Sequence, residues 1–170
     1  MKKTFRIMLA AAVSVAMLGF TACKEKEEGQ THDEKTESAT YAIHYDGSAV
    51  AAGSTIIYQP TLTESNADFA SVDLLLENKT NANQQTCLKI ERTEGPDQMN
   101  HIMICYGETC KDGDCPWSSD AFTLVPGINN DMLVKFEYSP SQVTSKTTYR
   151  LTVGKGATFT DPQVVYINVN

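Results

Sequence analysis

The sequence predicts an all-β fold, an antiparallel sandwich of about eight strands with an immunoglobulin-like or fibronectin-like topology. Three observations carry that expectation. From Tyr41 onward large apolar side chains alternate with polar ones, the two-residue period that lays one face of a strand on a core. Clusters of Gly, Pro, Asn, Asp and Ser interrupt the alternation at short intervals, where the chain must reverse. No stretch of ten or more residues keeps a helical period.

The strands are expected in this order. Tyr41 to Tyr45 and Thr55 to Gln59 open the domain, and Val72-Leu74-Leu76 and Leu88-Ile90 follow. Ile102-Ile104-Tyr106, Val134-Phe136-Tyr138, Tyr149-Leu151-Val153 and Val165-Ile167-Val169 complete the set, each with its large side chains on one face. Turns are expected at Asn78 to Asn83, Gly95-Pro96-Asp97, Asp112-Gly113-Asp114 and Pro126-Gly127. Further turns are expected at Asn129 to Asp131, Ser139-Pro140-Ser141, Gly154 to Gly156 and Asp161-Pro162. A small barrel shares the same strand pattern, because alternation does not distinguish closure from stacking.

Ahead of the domain stands a different kind of segment. Lys2, Lys3 and Arg6 precede an apolar run from Ile7 to Phe20, which ends in Thr21, Ala22 and Cys23. At helical rise these 14 residues span about 21 Å, too short for a hydrocarbon core of about 30 Å, so the run reads as a secretory signal. Leu18-Gly19-Phe20-Thr21-Ala22-Cys23 resembles a bacterial lipobox, with Phe20 where Leu is usual. That resemblance implies cleavage before Cys23, acylation of Cys23 with chains such as palmitate, and a membrane partner held through lipid. The expected division is therefore residues 1–22 as a cleaved lipoprotein signal peptide, 23–40 as a lipidated cysteine with a flexible acidic tether, and 41–170 as a single β-sandwich domain. Lys24-Glu25-Lys26-Glu27-Glu28 also resembles the export signal of Bacteroidota surface lipoproteins, which implies the outer membrane with the domain facing the cell exterior. Retention on the periplasmic face is the alternative.

Charge narrows the partners. Removing the leader takes three of 14 basic side chains and none of 21 acidic ones, leaving a net charge of about −10. A surface that acidic repels nucleic acid and anionic headgroups, so no nucleic-acid partner is expected.

Four cysteines remain in the secreted domain: Cys87, Cys105, Cys110 and Cys115. An even number in an exported chain favours two disulfides, and four cysteines allow three pairings. If the chain makes a hairpin about Gly95-Pro96, Leu88 faces Ile104 and Cys87 faces Cys105, which leaves Cys110 for Cys115. Resemblance points elsewhere. Glu77-Asn78-Lys79-Thr80, Glu91-Arg92, the run Ile104 to Cys110 and Phe122-Thr123-Leu124-Val125-Pro126-Gly127 resemble a β-sandwich domain of exported Bacteroidota proteins, over about residues 70 to 169. The resemblance implies Cys105 with Cys110, leaving Cys87 for Cys115, together with a fold and an export route but no enzymatic activity. This second pairing is preferred, because a one-residue register slip reverses the facing argument.

Other chemistry weighs less. Cys105-x4-Cys110-x4-Cys115 with His101 offers metal ligands, but zinc thiolates favour two-residue spacing and exported thiols oxidise. Asp112-Gly113-Asp114 with Asp120 is too short for a calcium loop and reads as a solvated turn. His44 and His101 lack a glycine-framed serine elbow, and Asp73, Glu77 or Glu91 signify nothing singly, so no catalytic residue, metal or cofactor is expected. Trp117, in the loop Cys115-Pro116-Trp117-Ser118-Ser119-Asp120, with Tyr106 and Phe122, forms a candidate binding loop for glycan or protein. Packing of Trp117 into the core is the competing expectation. Two functions are thus in view, both non-enzymatic: a surface-displayed binding module, and a structural accessory subunit of a larger outer-membrane assembly.

Overall fold

In the computed structural model, which describes residues 34–58, 70–95, 101–138 and 146–169, the alternating apolar residues are the ones that turn inward. The expected signal peptide, Cys23 and the expected tether up to residue 33 lie outside the described residues, as do Ser139-Pro140-Ser141 and Pro96-Asp97. Twelve strands are described: β1 (Tyr41–Tyr45), β2 (Ser48–Val50), β3 (Thr55–Tyr58), β4 (Ala70–Asn78), β5 (Gln84–Glu94), β6 (His101–Tyr106), β7 (Thr109–Asp114), β8 (Trp117–Ser118), β9 (Phe122–Leu124), β10 (Gly127–Tyr138), β11 (Thr147–Lys155) and β12 (Thr160–Val169). All eight expected strands are present, and β2, β7, β8 and β9 are additions.

The strands form two sheets. The first has the order β2-β1-β4-β10-β6-β7, and the second β3-β12-β11-β5-β8 with β9 also paired to β5. Among the described residues every pair is antiparallel except β3 with β12, which run parallel, so the expected antiparallel sandwich is present with one parallel edge strand. Tyr41, Leu74 and Ile104 of the first sheet share one buried cluster with Leu88, Tyr149 and Ile167 of the second. Two sheets stacked on a common core make a sandwich, and each buried aliphatic side chain contributes roughly 1.5–3 kcal/mol to holding it.

Three expected turns are corrected. Asp112-Gly113-Asp114 lies within β7, Asn129 to Asp131 within β10 at a register shift between Asn129 and Leu133, and Asp161-Pro162 within β12. Gly113 serves close packing and not reversal: a Cβ there would lie 2.3 Å from Cδ1 of Trp117. The expected hairpin between the Leu88 and Ile104 strands is also corrected. β5 is flanked by β11 on one side and by β8 and β9 on the other, so β6 crosses to the opposite sheet beside β10.

The tether boundary at residue 40 moves as well. Ser38 is fully buried, donating its N–H to Gln163 Oε1 at 3.0 Å and its hydroxyl to the Asp161 carbonyl at 2.8 Å. The backbone N–H groups of Ala39 and Thr40 donate to the two carboxylate oxygens of Asp161 at 2.9 and 2.8 Å. Burial alone would push the Asp161 carboxyl up, but hydrogen bonds from Thr40, Ala39 and Ser38 outweigh it and hold the group below its usual value. Residues 34–40 are therefore a strap fastened to the sandwich, not free tether.

Candidate functional site

Five of the residues singled out by the sequence, Cys105, Tyr106, Cys110, Trp117 and Phe122, gather at one corner around the β6–β7 hairpin. Tyr106 and Thr109 close a two-residue loop, and Gly107 takes φ 57° at its first position, the backbone that a type II′ turn demands. One pair further along, Cys105 and Cys110 stand directly opposite with Cα atoms 4.0 Å apart and are joined by a disulfide. Opposed residues at such a non-hydrogen-bonded position approach closely enough to bridge. The pairing implied by the resemblance is present, and the rival Cys87–Cys105 pairing is overturned with the hairpin it assumed.

The second expected bridge is corrected: Cys87 and Cys115 are free thiols. Lys89 pairs with Ser118 and Ile90 with Trp117, so Cys115 comes alongside Arg92, at the far end of β5 from Cys87. Five residues of strand amount to about 16 Å, well beyond the roughly 7 Å that a disulfide can span at Cα. Burial pushes the Cys115 thiol up to about 11, against a smaller opposing pull from Arg92. Burial also raises Cys87, and Asp120 raises it further. Both are poor nucleophiles at neutral pH.

The candidate binding loop does come together in space, but it faces inward. Tyr106 lies 6.2 Å from Trp117 and 5.0 Å from Phe122 between ring centroids. Tyr106 is 6% exposed and Trp117 9%, and Phe122 packs against the same core. The reason is register. Trp117 stands beside Ile90, whose side chain points into the core, and the indole crosses to rest on Gly113 of the opposite sheet. The cis Cys115–Pro116 peptide precedes it. The expectation of an exposed aromatic platform at Tyr106, Trp117 and Phe122 is therefore corrected to an aromatic wedge between sheets.

The remaining candidates are dispersed. Asp120 pairs with Lys111 at 2.5 Å on the surface, and that partner lowers its carboxyl while raising the lysine. His44 Nε2 lies 2.7 Å from Glu77 Oε2, a satisfied pair. Glu91 meets Lys89 at 2.8 Å and Arg150 at 3.7 Å. The side chain of His101 lies outside the described residues. Among the described residues no three metal-ligating side chains converge.

No family model matches the chain, and no curated protein matches it. Among solved structures, the N-terminal domain of PorA is similar in fold, with a TM-score of 0.59 at 14% identity, covering 76% of this chain and 95% of that one. The CooA pilin subunit from enterotoxigenic Escherichia coli aligns with a TM-score of 0.36 at 9% identity, covering 77% of this chain and 97% of that one. Likeness to the PorA domain shows the fold: an all-β sandwich.

Proposed function

We propose that the protein is a non-enzymatic accessory of the cell envelope, lipid-anchored through Cys23 to the outer membrane and displayed toward the exterior. It packs onto a larger assembly through a sheet face or an edge strand. The observation that carries this reading is the burial of Tyr106 and Trp117, which turns the braced loop from a ligand platform into a structural wedge. Such a corner stiffens the domain as a part to be docked. PorA bears a domain of the same fold at its N-terminus, so this kind of sandwich serves as one part of a larger chain there.

Photo-crosslinking in intact cells tests the reading, with probes on the edge strands β2 and β7 of the first sheet. A discrete adduct with an envelope protein is expected from at least one edge. A protein that forms no adduct and purifies alone from solubilised membranes is not an assembly component. Mass spectrometry of the mature N-terminus tests the anchor separately, and an unmodified Cys23 overturns it.

A further inference from the structure

The outer face of the second sheet carries a groove of about 750 Å³, away from the braced corner. Its lining follows from strand register. Ile57 on β3 stands beside Asn168 on β12, Asn168 beside Thr148 on β11, and Thr148 beside Glu94 on β5. Four side chains thus make one row across four strands, with Tyr166 in the next row and Lys146 at the rim. They point outward because their chain neighbours Ile56, Ile167 and Tyr149 point into the core.

One atom in this row is unmatched. Asn168 is 5% exposed, and its Nδ2 donates to Thr148 Oγ1 at 3.2 Å. Thr148 Oγ1 in turn donates to Glu94 Oε2 at 3.2 Å, and Lys146 Nζ lies 3.4 Å from the same oxygen. Donation therefore runs outward from the carboxamide and leaves Asn168 Oδ1 buried without a partner. Buried acceptors are rarely left so, because each is destabilising until a donor reaches it. Ile57, the neighbour of Asn168 in the row, is 64% exposed and has solvent to turn into as a donor approaches.

The groove's chemistry selects a ligand class. Glu94 and Lys146 offset each other, so the row offers no net charge for an ionic ligand. At Asn168 and Thr148 its floor lies on β12 and β11, interior strands whose backbone N–H and C=O groups are already paired and unavailable to an extended peptide, while β3 beneath Ile57 is the edge of the sheet. Over β12 and β11 a ligand is read by side chains: a carboxamide oxygen, a hydroxyl, a carboxylate and an ammonium, spaced around the exposed aliphatic Ile57. Tyr166 adds a ring whose hydroxyl is tied to Glu34. Closely spaced hydroxyls separated by C–H faces match that set.

We propose that this face binds a neutral oligosaccharide, with one hydroxyl donating to Asn168 Oδ1 and a sugar C–H face resting on Ile57 and Tyr166. The site is independent of the accessory role, and neither outcome of the crosslinking bears on it. The test is nuclear magnetic resonance on the ¹⁵N-labelled mature protein with maltohexaose, cellohexaose and chitohexaose as probes, and a blocked tetra-threonine peptide as rival. At least one sugar is expected to shift the Asn168 side-chain amide and the Thr148 and Tyr166 amides saturably, leaving Trp117 unmoved. Ile57→Asp, on an exposed side chain outside the core, should weaken binding by about tenfold or more. Asn168→Ala should do the same while retaining cooperative unfolding, and if it does not fold, Ile57→Asp still decides. Silence toward all three sugars, shifts confined to another face, affinity indifferent to Ile57→Asp, or response to the peptide alone each overturns the proposal.

Discussion

The braced hairpin corner and the strap at residues 34–40 both add a segment to the sandwich, and they do so by opposite means. At the corner the fastening is apolar and covalent: an indole on Gly113, a tyrosine ring between two aromatics, and one disulfide. At the strap it is polar: two backbone N–H groups on one carboxylate, and a buried serine bonded to Gln163 and to the Asp161 carbonyl. The first kind of fastening is indifferent to pH and sensitive to volume. The second is indifferent to volume and sensitive to protonation, because its central acceptor is an ionised Asp161.

Breaking the corner should have the largest effect. Trp117→Ala removes the wedge between the sheets and is expected to cost about 3–5 kcal/mol in urea unfolding, as other large-to-small core changes do. A loss under about 1 kcal/mol would mean that the indole is not packed as described. Replacing both Cys105 and Cys110 with Ser should cost about 2 kcal/mol, the loop-closure entropy of so short a ring. Peptide mapping without reductant should yield that bridge alone, and a Cys87–Cys115 peptide would contradict the register of β8 on β5.

At the strap smaller effects are expected, with a pH signature the corner lacks. Asp161→Asn leaves one of the two N–H donors a neutral carbonyl acceptor and sets the other against an NH2 group, and should cost about 1–2 kcal/mol at neutral pH. The sign of the pH dependence follows from the direction of the shift. Since the folded carboxyl sits below its unfolded value, its stabilisation is fully present above about pH 4 and is lost as pH falls through the folded value. Urea midpoints measured from pH 6 to pH 3 should therefore fall less for Asp161→Asn than for the parent. Equal acid sensitivity in the two proteins would remove Asp161 as the cause. Chemical reactivity sharpens the contrast without moving stability. With its thiol raised to about 11, Cys115 should alkylate with iodoacetamide at pH 8 about a hundredfold more slowly in the folded protein than in urea.

The contrast also explains what the sequence made legible. Cys105 and Cys110 are five positions apart around Gly107-Glu108, and a two-residue loop with Gly first makes such cysteines cross-strand neighbours. That geometry was available from local spacing, although resemblance supplied the pairing. Another local signal passed unread: Asp46-Gly47, with φ of 49° and 74°, is the tight turn that joins β1 to β2. By contrast, nothing local marks residues 34–40 as part of the fold. Their partners Asp161 and Gln163 lie 121 to 125 positions away, and polar residues that would be solvated in a free tether are buried once those partners arrive. The inward turn of Trp117 has the same character, because it depends on a glycine in the opposite sheet being close enough to receive the ring.

By itself the sequence determined the class of fold and most of its strands, because a two-residue period is a local property that decides which side chains of a strand face the core. Its local spacing also set Cys105 and Cys110 across one tight hairpin. Only the tertiary structure decided that β5 and β6 part into different sheets, that two cysteines stay reduced, and that the aromatic loop closes inward. It alone brought Ile57, Asn168, Thr148 and Glu94 into one row. Those outcomes turn on which strand edges meet and in what register, and register between segments far apart in the chain depends on the whole core packing at once.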